Sequence, residues 1–152
     1  MTRIDFHTNI ADKLSYACRL TRKAYGAGGK LVLLAEDAAQ AATLNEALWT
    51  LSETDFLPHV MLGDALAAQT PIIVTWIGNE GRSDNDSDSG GALLPHGDML
   101  VNLTRSTPAN VDRFERVFEI ISTDEIDAAA GRKRYLDYKQ KSYPLTHFVA
   151  GK

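Results

Sequence analysis

Cysteine is nearly absent from this chain, and that scarcity closes several routes at once. Cys18 stands alone among 152 residues, so no disulfide can form within the chain and no cysteine-built zinc site is available. On a helical pattern a lone thiol reads as a small buried hydrophobe; a nucleophile would need a histidine partner that nothing in the sequence points to. Long apolar runs are missing too. The opening MTRIDFHTN has no signal-peptide core and no window approaches a membrane span, so the expectation is a cytoplasmic protein that makes no membrane contact. Cations are not in excess either. Sixteen Lys and Arg face 20 Asp and Glu, and the net charge of -4 argues against broad coating of nucleic acid while leaving room for a local basic patch. Aromatics make up only 8%, too sparse to suggest a stacking platform for single-stranded DNA.

What is present is an ordinary globular composition, 44% hydrophobic and 24% charged, in a length that suits one domain over residues 1–152. The most legible stretch runs from Gly29 to His59. Lys30 to Ala35 is a near-continuous apolar run, which suits a strand buried on both faces in a parallel sheet covered by helices. Asp37 reads as a helix N-cap, with Gln40 in the capping-box position. Ala41, Leu44, Leu48 and Leu51 recur at helical spacing and form a core stripe. Trp49 falls roughly 120° from the centre of that stripe. A large aromatic off the core face is unusual, and Phe56, Leu57, Pro58 and His59 follow closely.

The remaining chain fits around this unit. Arg3 to His7 alternates, with Ile4 and Phe6 on one side, as a first strand. Asp12 can cap a helix to about Tyr25, with Leu14, Ala17, Cys18, Thr21 and Ala24 inward and Lys13, Arg19, Arg22 and Lys23 on a solvated outer face. Residues 71–77, 99–103 and 116–121 read as further strands, and Pro108 suits the start of a short helix through Val111 and Phe114. Asp124 can cap a last helix through roughly Lys139. Residues 78–97, rich in Gly, Ser, Asp and Asn, read as a long flexible loop. Strands alternating with helices predict an α/β fold: a three-layer α/β/α sandwich with a mostly parallel, Rossmann-like central sheet.

Motifs for chemistry fail when tested. Gly26, Gly28 and Gly29 follow a helix and open a strand, the reverse of a dinucleotide-binding turn, where a helix N-terminus must receive the pyrophosphate. Gly29-Lys30 is not a phosphate loop, because Leu31 stands where Ser or Thr would reach magnesium. Asp84, Asp86 and Asp88 have the odd spacing of a calcium loop, but Ser89 displaces the required glycine and Pro95 stands in place of the closing Glu. His7, His59, His96 and His147 are scattered, and no GxSxG elbow occurs. No catalytic residue, cofactor or metal is expected.

The last helix is more informative. Arg132, Lys133, Arg134, Lys139 and Lys141 stand against one acid, Asp137. Arg132, Tyr135 and Lys139 recur at i, i+3 and i+7 and share a face with Ala128. A ring between two cations suits an acidic peptide or a terminal carboxylate. Read alone, the segment fits a plain solvated basic helix better.

Two stretches together resemble the chi subunit family of bacterial DNA polymerase III. The first is the strand with Glu36-Asp37, Leu44, Glu46-Ala47-Leu48-Trp49, and then Phe56 with Pro58-His59. The second is Arg132-Lys133-Arg134-Tyr135 with Tyr138-Lys139, similar to that family's R-x-R-Y-x-x-Y-[RK] helix. The resemblance covers nearly the whole chain in order. It implies a non-catalytic adaptor in DNA replication, joining the clamp loader to single-stranded DNA-binding protein (SSB), with DNA met only indirectly. Trp49, Phe56, Pro58 and His59 would face the psi subunit or another clamp-loader component. Arg132, Tyr135 and Lys139, with apolar contact from Ile121, would take the acidic C-terminal tail of SSB. The chain departs from the family pattern where Ala128 and Leu136 replace basic residues, which makes the tail site less positive. The alternatives are a small α/β nucleotide- or metabolite-binding enzyme, since this fold hosts many, and direct binding of single-stranded DNA by the basic helix.

Overall fold

The computed structural model describes residues 2–50, 59–61, 70–76, 98–108, 111 and 114–150. Ten elements appear in these residues: β1 (Arg3–Ile10), α1 (Lys13–Gly26), β2 (Leu31–Ala35), α2 (Ala38–Thr50), β3 (His59–Met61), β4 (Ile72–Trp76), β5 (Met99–Asn102), β6 (Arg116–Ser122), α3 (Glu125–Gln140) and β7 (Leu145–Val149). The strands form one sheet in the order β3-β4-β2-β5-β6-β1-β7, and every neighbouring pair is parallel. The expected α/β/α architecture is present. The strands β3 and β7, which end the sheet on either side, were not expected from the sequence. The expected loop over 78–97, Leu51, and most of the short helix after Pro108 lie outside the described residues.

All five residues of β2 are buried, as its unbroken apolar run required. Leu31, Leu33 and Ala35 point to the α1 and α2 side, where Ala17, Cys18, Ala41, Leu44 and Leu48 meet them. Val32 and Leu34 point to the other side, into a cluster with Ile4, Phe6, Val117, Ile121 and Tyr138. That second layer is covered by α3. The sheet therefore has two cores, split by the two-residue alternation of its strands.

Helix boundaries follow local chemistry. Asp12 Oδ1 accepts from the Ser15 N–H at 3.1 Å, and Asp37 Oδ1 accepts from the Gln40 N–H at 2.8 Å; both act as N-caps. The Gln40 side chain reaches back to the Glu36 N–H at 2.7 Å, one residue earlier than a standard capping box. The glycines after α1 are a helix stop. Gly28 has φ 93, and a Cβ on Gly29 would stand 2.0 Å from Met99 Cε. Two expectations fail. Lys13 is not on a solvated face: its Nζ donates to the buried Asp127 Oδ1 at 3.0 Å, because α1 starts beside the first turn of α3. Asp124 occupies the N-cap position of α3 but makes no capping hydrogen bond; its carboxylate instead accepts from Arg105 Nη2 at 2.9 Å.

Candidate functional site

The last helix is anchored by an interior that is polar. Its buried stripe is Asp127, Gly131, Arg134 and Tyr138. Beneath it Glu119 of β6 is 0% exposed and accepts from Arg134 Nε at 3.0 Å, Tyr138 Oη at 2.8 Å and Asn102 Nδ2 at 2.9 Å. Arg134 Nη2 also lies 3.0 Å from the same carboxylate. Full burial pushes Glu119 above its ordinary value, against the pull of Arg134, Tyr138 and Asn102. At the start of the helix, Asp127 accepts from the Ser122 N–H at 2.7 Å. Burial alone would raise its carboxyl, but that N–H and Lys13 outweigh burial and hold it below the usual range. Arg134 is thus a buried anchor and does not belong to the solvated basic face that the sequence suggested. Tyr138 is turned inward with it.

With those side chains turned inward, another face of α3 opens on a groove of about 650 Å³. Ile121 lies buried at its base and Tyr135 stands half-buried beside Phe6, ring centroids 5.1 Å apart and edge-on. Arg132 is exposed at the groove's side, and Ala128 and Leu136 complete the helix wall. Leu136 is 60% exposed. Gly131 has a steric role: a Cβ there would lie 2.4 Å from Ile121 Cδ1, so only glycine lets the helix settle onto β6 with Ile121 in place. Of the four residues expected at this site, Arg132, Tyr135 and Ile121 come together in one groove. Lys139 is exposed further along the helix and does not line it. Chemically, the groove offers an apolar floor with a guanidinium beside it, which fits an apolar side chain next to a carboxylate.

Several lining residues were missed by the sequence reading, among them Phe6 and His147. His147 sits on β7, its Nε2 2.8 Å from Thr8 Oγ1. The signal for β7 was available, since Leu-Thr-His-Phe-Val after Pro144 is rich in strand formers.

The second expected surface stands at the opposite edge of the sheet. Trp49, at the end of α2, is 54% exposed, off the stripe formed by Ala41, Leu44 and Leu48. Its ring lies 4.6 Å from that of His59 on β3. His59 itself is buried, and its Nε2–H donates to the Asn45 carbonyl at 3.2 Å. His59 therefore supports Trp49 from below, while Phe56 and Pro58 lie outside the described residues.

Elsewhere, Cys18 is buried and its thiol is pushed up to about 11, chiefly by that burial, which disfavours the reactive thiolate. No group of three or more His, Cys, Asp or Glu among the described residues could hold a metal ion. No helix among them is long and apolar enough to cross a membrane.

Comparison with known proteins supplies the family. A model of the family described as DNA polymerase III chi subunit, HolC, matches residues 1–146. The chain is 30% identical over 149 residues to DNA polymerase III subunit chi of Pseudomonas aeruginosa, covering 95% of this chain and 94% of that protein. It is 26% identical over 130 residues to the subunit of the same name from Haemophilus influenzae, covering 86% and 82%. With that of Escherichia coli the identity is 23% over 128 residues, covering 84% and 79%. The chain belongs to the DNA polymerase III chi subunit family.

Proposed function

We propose that this chain works as a single, non-catalytic accessory domain of the DNA polymerase III holoenzyme, tying the clamp loader to the C-terminal tail of SSB. The coarser statement, an accessory role in DNA replication, follows from the family. The finer one is carried by the α3 groove, where Arg132 stands beside an apolar floor of Ile121, Phe6 and Tyr135. An acidic peptide ending in a free carboxylate matches that arrangement: its last side chain enters the groove and its carboxylate pairs with the guanidinium. Trp49, supported by His59, offers an exposed aromatic of the kind that anchors protein interfaces, here toward a psi-type subunit or another clamp-loader component.

Calorimetry with an SSB tail peptide tests the groove. Arg132→Ala should weaken binding by roughly 10- to 100-fold, the value of about 1.5–3 kcal/mol for a lost charge-assisted contact. Affinity should also fall as salt rises, because the pair is solvent-exposed. Equal binding by the variant and the parent would sink the proposed site. A reproducible rise in melting temperature with ATP, NAD or a related metabolite would instead favour a ligand-binding enzyme.

A further inference from the structure

A second groove lies on the α1 face of the same sheet edge, about 440 Å³ in volume. Its walls carry Arg3, Arg19, Lys23 and Arg116, together with Tyr16 of α1 and Phe148 of β7. It shares Phe6 and His147 with the α3 groove, so the two grooves meet at β7, the last strand of the sheet.

The charge in this groove is strongly one-sided. Four cations face a single carboxylate, Asp5. Burial works to raise Asp5, but the Thr146 hydroxyl, Arg116 and Arg3 outweigh it and hold the group below its usual range. Asp5 is already saturated, with Arg116 Nε at 2.5 Å, Arg3 Nε at 3.2 Å and the Thr146 hydroxyl donating as well. Arg19 and Lys23 have no carboxylate partner among the described residues. Arg19 donates only to Ser15 Oγ at 2.8 Å and lies 5.9 Å from the centre of the Tyr16 ring. By contrast, the α3 groove has one formal cation in its lining, Arg132, and a mostly apolar surface. Its lining can hold a peptide's end but offers no second cation for carboxylates upstream of it, since Lys133 and Lys139, exposed on the same helix, stand outside the lining.

We infer that the α1 groove takes the acidic segment of the same tail peptide, which rounds β7 from the α3 groove and lays its carboxylates against Arg3, Arg19, Lys23 and Arg116. This rests on the tail-binding reading above. Six extended residues reach roughly 20 Å, enough to pass around a single strand. Continuity of the two grooves favours a peptide over single-stranded DNA, as does the lining of the α1 groove, where Phe148 is the one exposed Phe, Tyr or Trp, while a stacking platform needs several.

Two peptides separate this inference from the reading beneath it: a short apolar one ending in a free carboxylate, and the same peptide extended upstream by a run of aspartates. The extended peptide should bind the parent protein more tightly and with a steeper salt dependence. In the double variant Arg19→Ala with Lys23→Ala, both positions being exposed on α1, the extended peptide should lose about fivefold, the worth of two exposed charge pairs. The short peptide should bind that variant as it binds the parent, whereas Arg132→Ala should weaken both. Equal affinity of the two peptides for the parent, or an unchanged extended peptide in the double variant, would overturn the inference and leave the tail groove standing. A thymidine oligonucleotide that binds the parent and is lost in the double variant, with the acidic peptide unaffected, would overturn it by assigning the groove to nucleic acid. Failure of both peptides to bind the parent would overturn the tail reading and this extension together.

Discussion

Replacing Arg134 by methionine isolates the interaction that fixes the candidate peptide groove. The substitution keeps an apolar stem of similar reach and deletes the guanidinium. Glu119, 0% exposed, is then left with the Tyr138 hydroxyl at 2.8 Å and the Asn102 amide at 2.9 Å but no compensating charge. Breaking a buried ion pair from one side costs about 3–5 kcal/mol, a large part of the stability of an ordinary domain. The pH dependence makes the cause identifiable. Complete burial already raises Glu119 in the parent, and Arg134 is the strongest of the influences that lower it again; without Arg134 the carboxyl climbs further. The unfolded carboxyl titrates near about 4.3, so between that value and the raised folded one the native state holds more protons than the unfolded state. Stability in that window rises as pH falls, by up to about 1.4 kcal/mol per pH unit. The deficit of Arg134→Met relative to the parent should therefore be widest at neutral pH and shrink on acidification. Urea unfolding at several pH values measures this, and adding Glu119→Gln to Arg134→Met should restore part of the loss. A deficit under about 1 kcal/mol that does not change with pH would show that the pair does not hold α3 in place.

Two further substitutions probe the surfaces themselves. Gly131→Ala puts a methyl 2.4 Å from Ile121 Cδ1 and 2.9 Å from its Cγ1; overpacking of about 1–3 kcal/mol should outweigh the roughly 1 kcal/mol gain in helix propensity, and Ile121 should be driven into the groove. Urea melts should show a net loss and calorimetry a weaker tail peptide; a stabilised variant with unchanged peptide affinity would refute the packing argument. Trp49→Ala should cost about 1 kcal/mol or less, since the ring is 54% exposed and rests on His59, yet it should abolish co-purification with clamp-loader components. A loss beyond about 3 kcal/mol would mean that Trp49 is core.

The sequence disclosed most where burial was two-sided. β2 was visible because every position from Leu31 to Ala35 must be apolar when helices cover both faces. The stripe of α2 was equally plain, and Trp49 stood out against it. β7 left no such trace. Its central residues Thr146, His147 and Phe148 are exposed, so no apolar alternation marks the strand; its content of strand formers after Pro144 is the one sequence signal, and pairing with β1 is what defines it. The groove wall that β7 supplies was hidden with it. In β3 three residues pair among the described ones, from His59 to Met61, too few for any periodicity to register.

The hardest misreading lay in α3, and its cause is physical. A search for an inward face looks for apolar residues at helical spacing, but the stripe here is Asp127, Gly131, Arg134 and Tyr138. Basic residues that look like one solvated set are divided: Arg134 turns in to Glu119, and Arg132 turns out to the groove. The two tyrosines divide the same way, Tyr138 donating to Glu119 and Tyr135 standing beside Phe6 at the groove. Neighbouring letters of one motif thus perform opposite tasks. A greasy inner stripe could slide by part of a turn at little cost. A carboxylate that must meet a guanidinium, a phenol and an amide together admits essentially one rotation of the helix. That rotation is what points Arg132 and Tyr135 at Ile121, so the polar anchor and the binding face depend on each other for geometry.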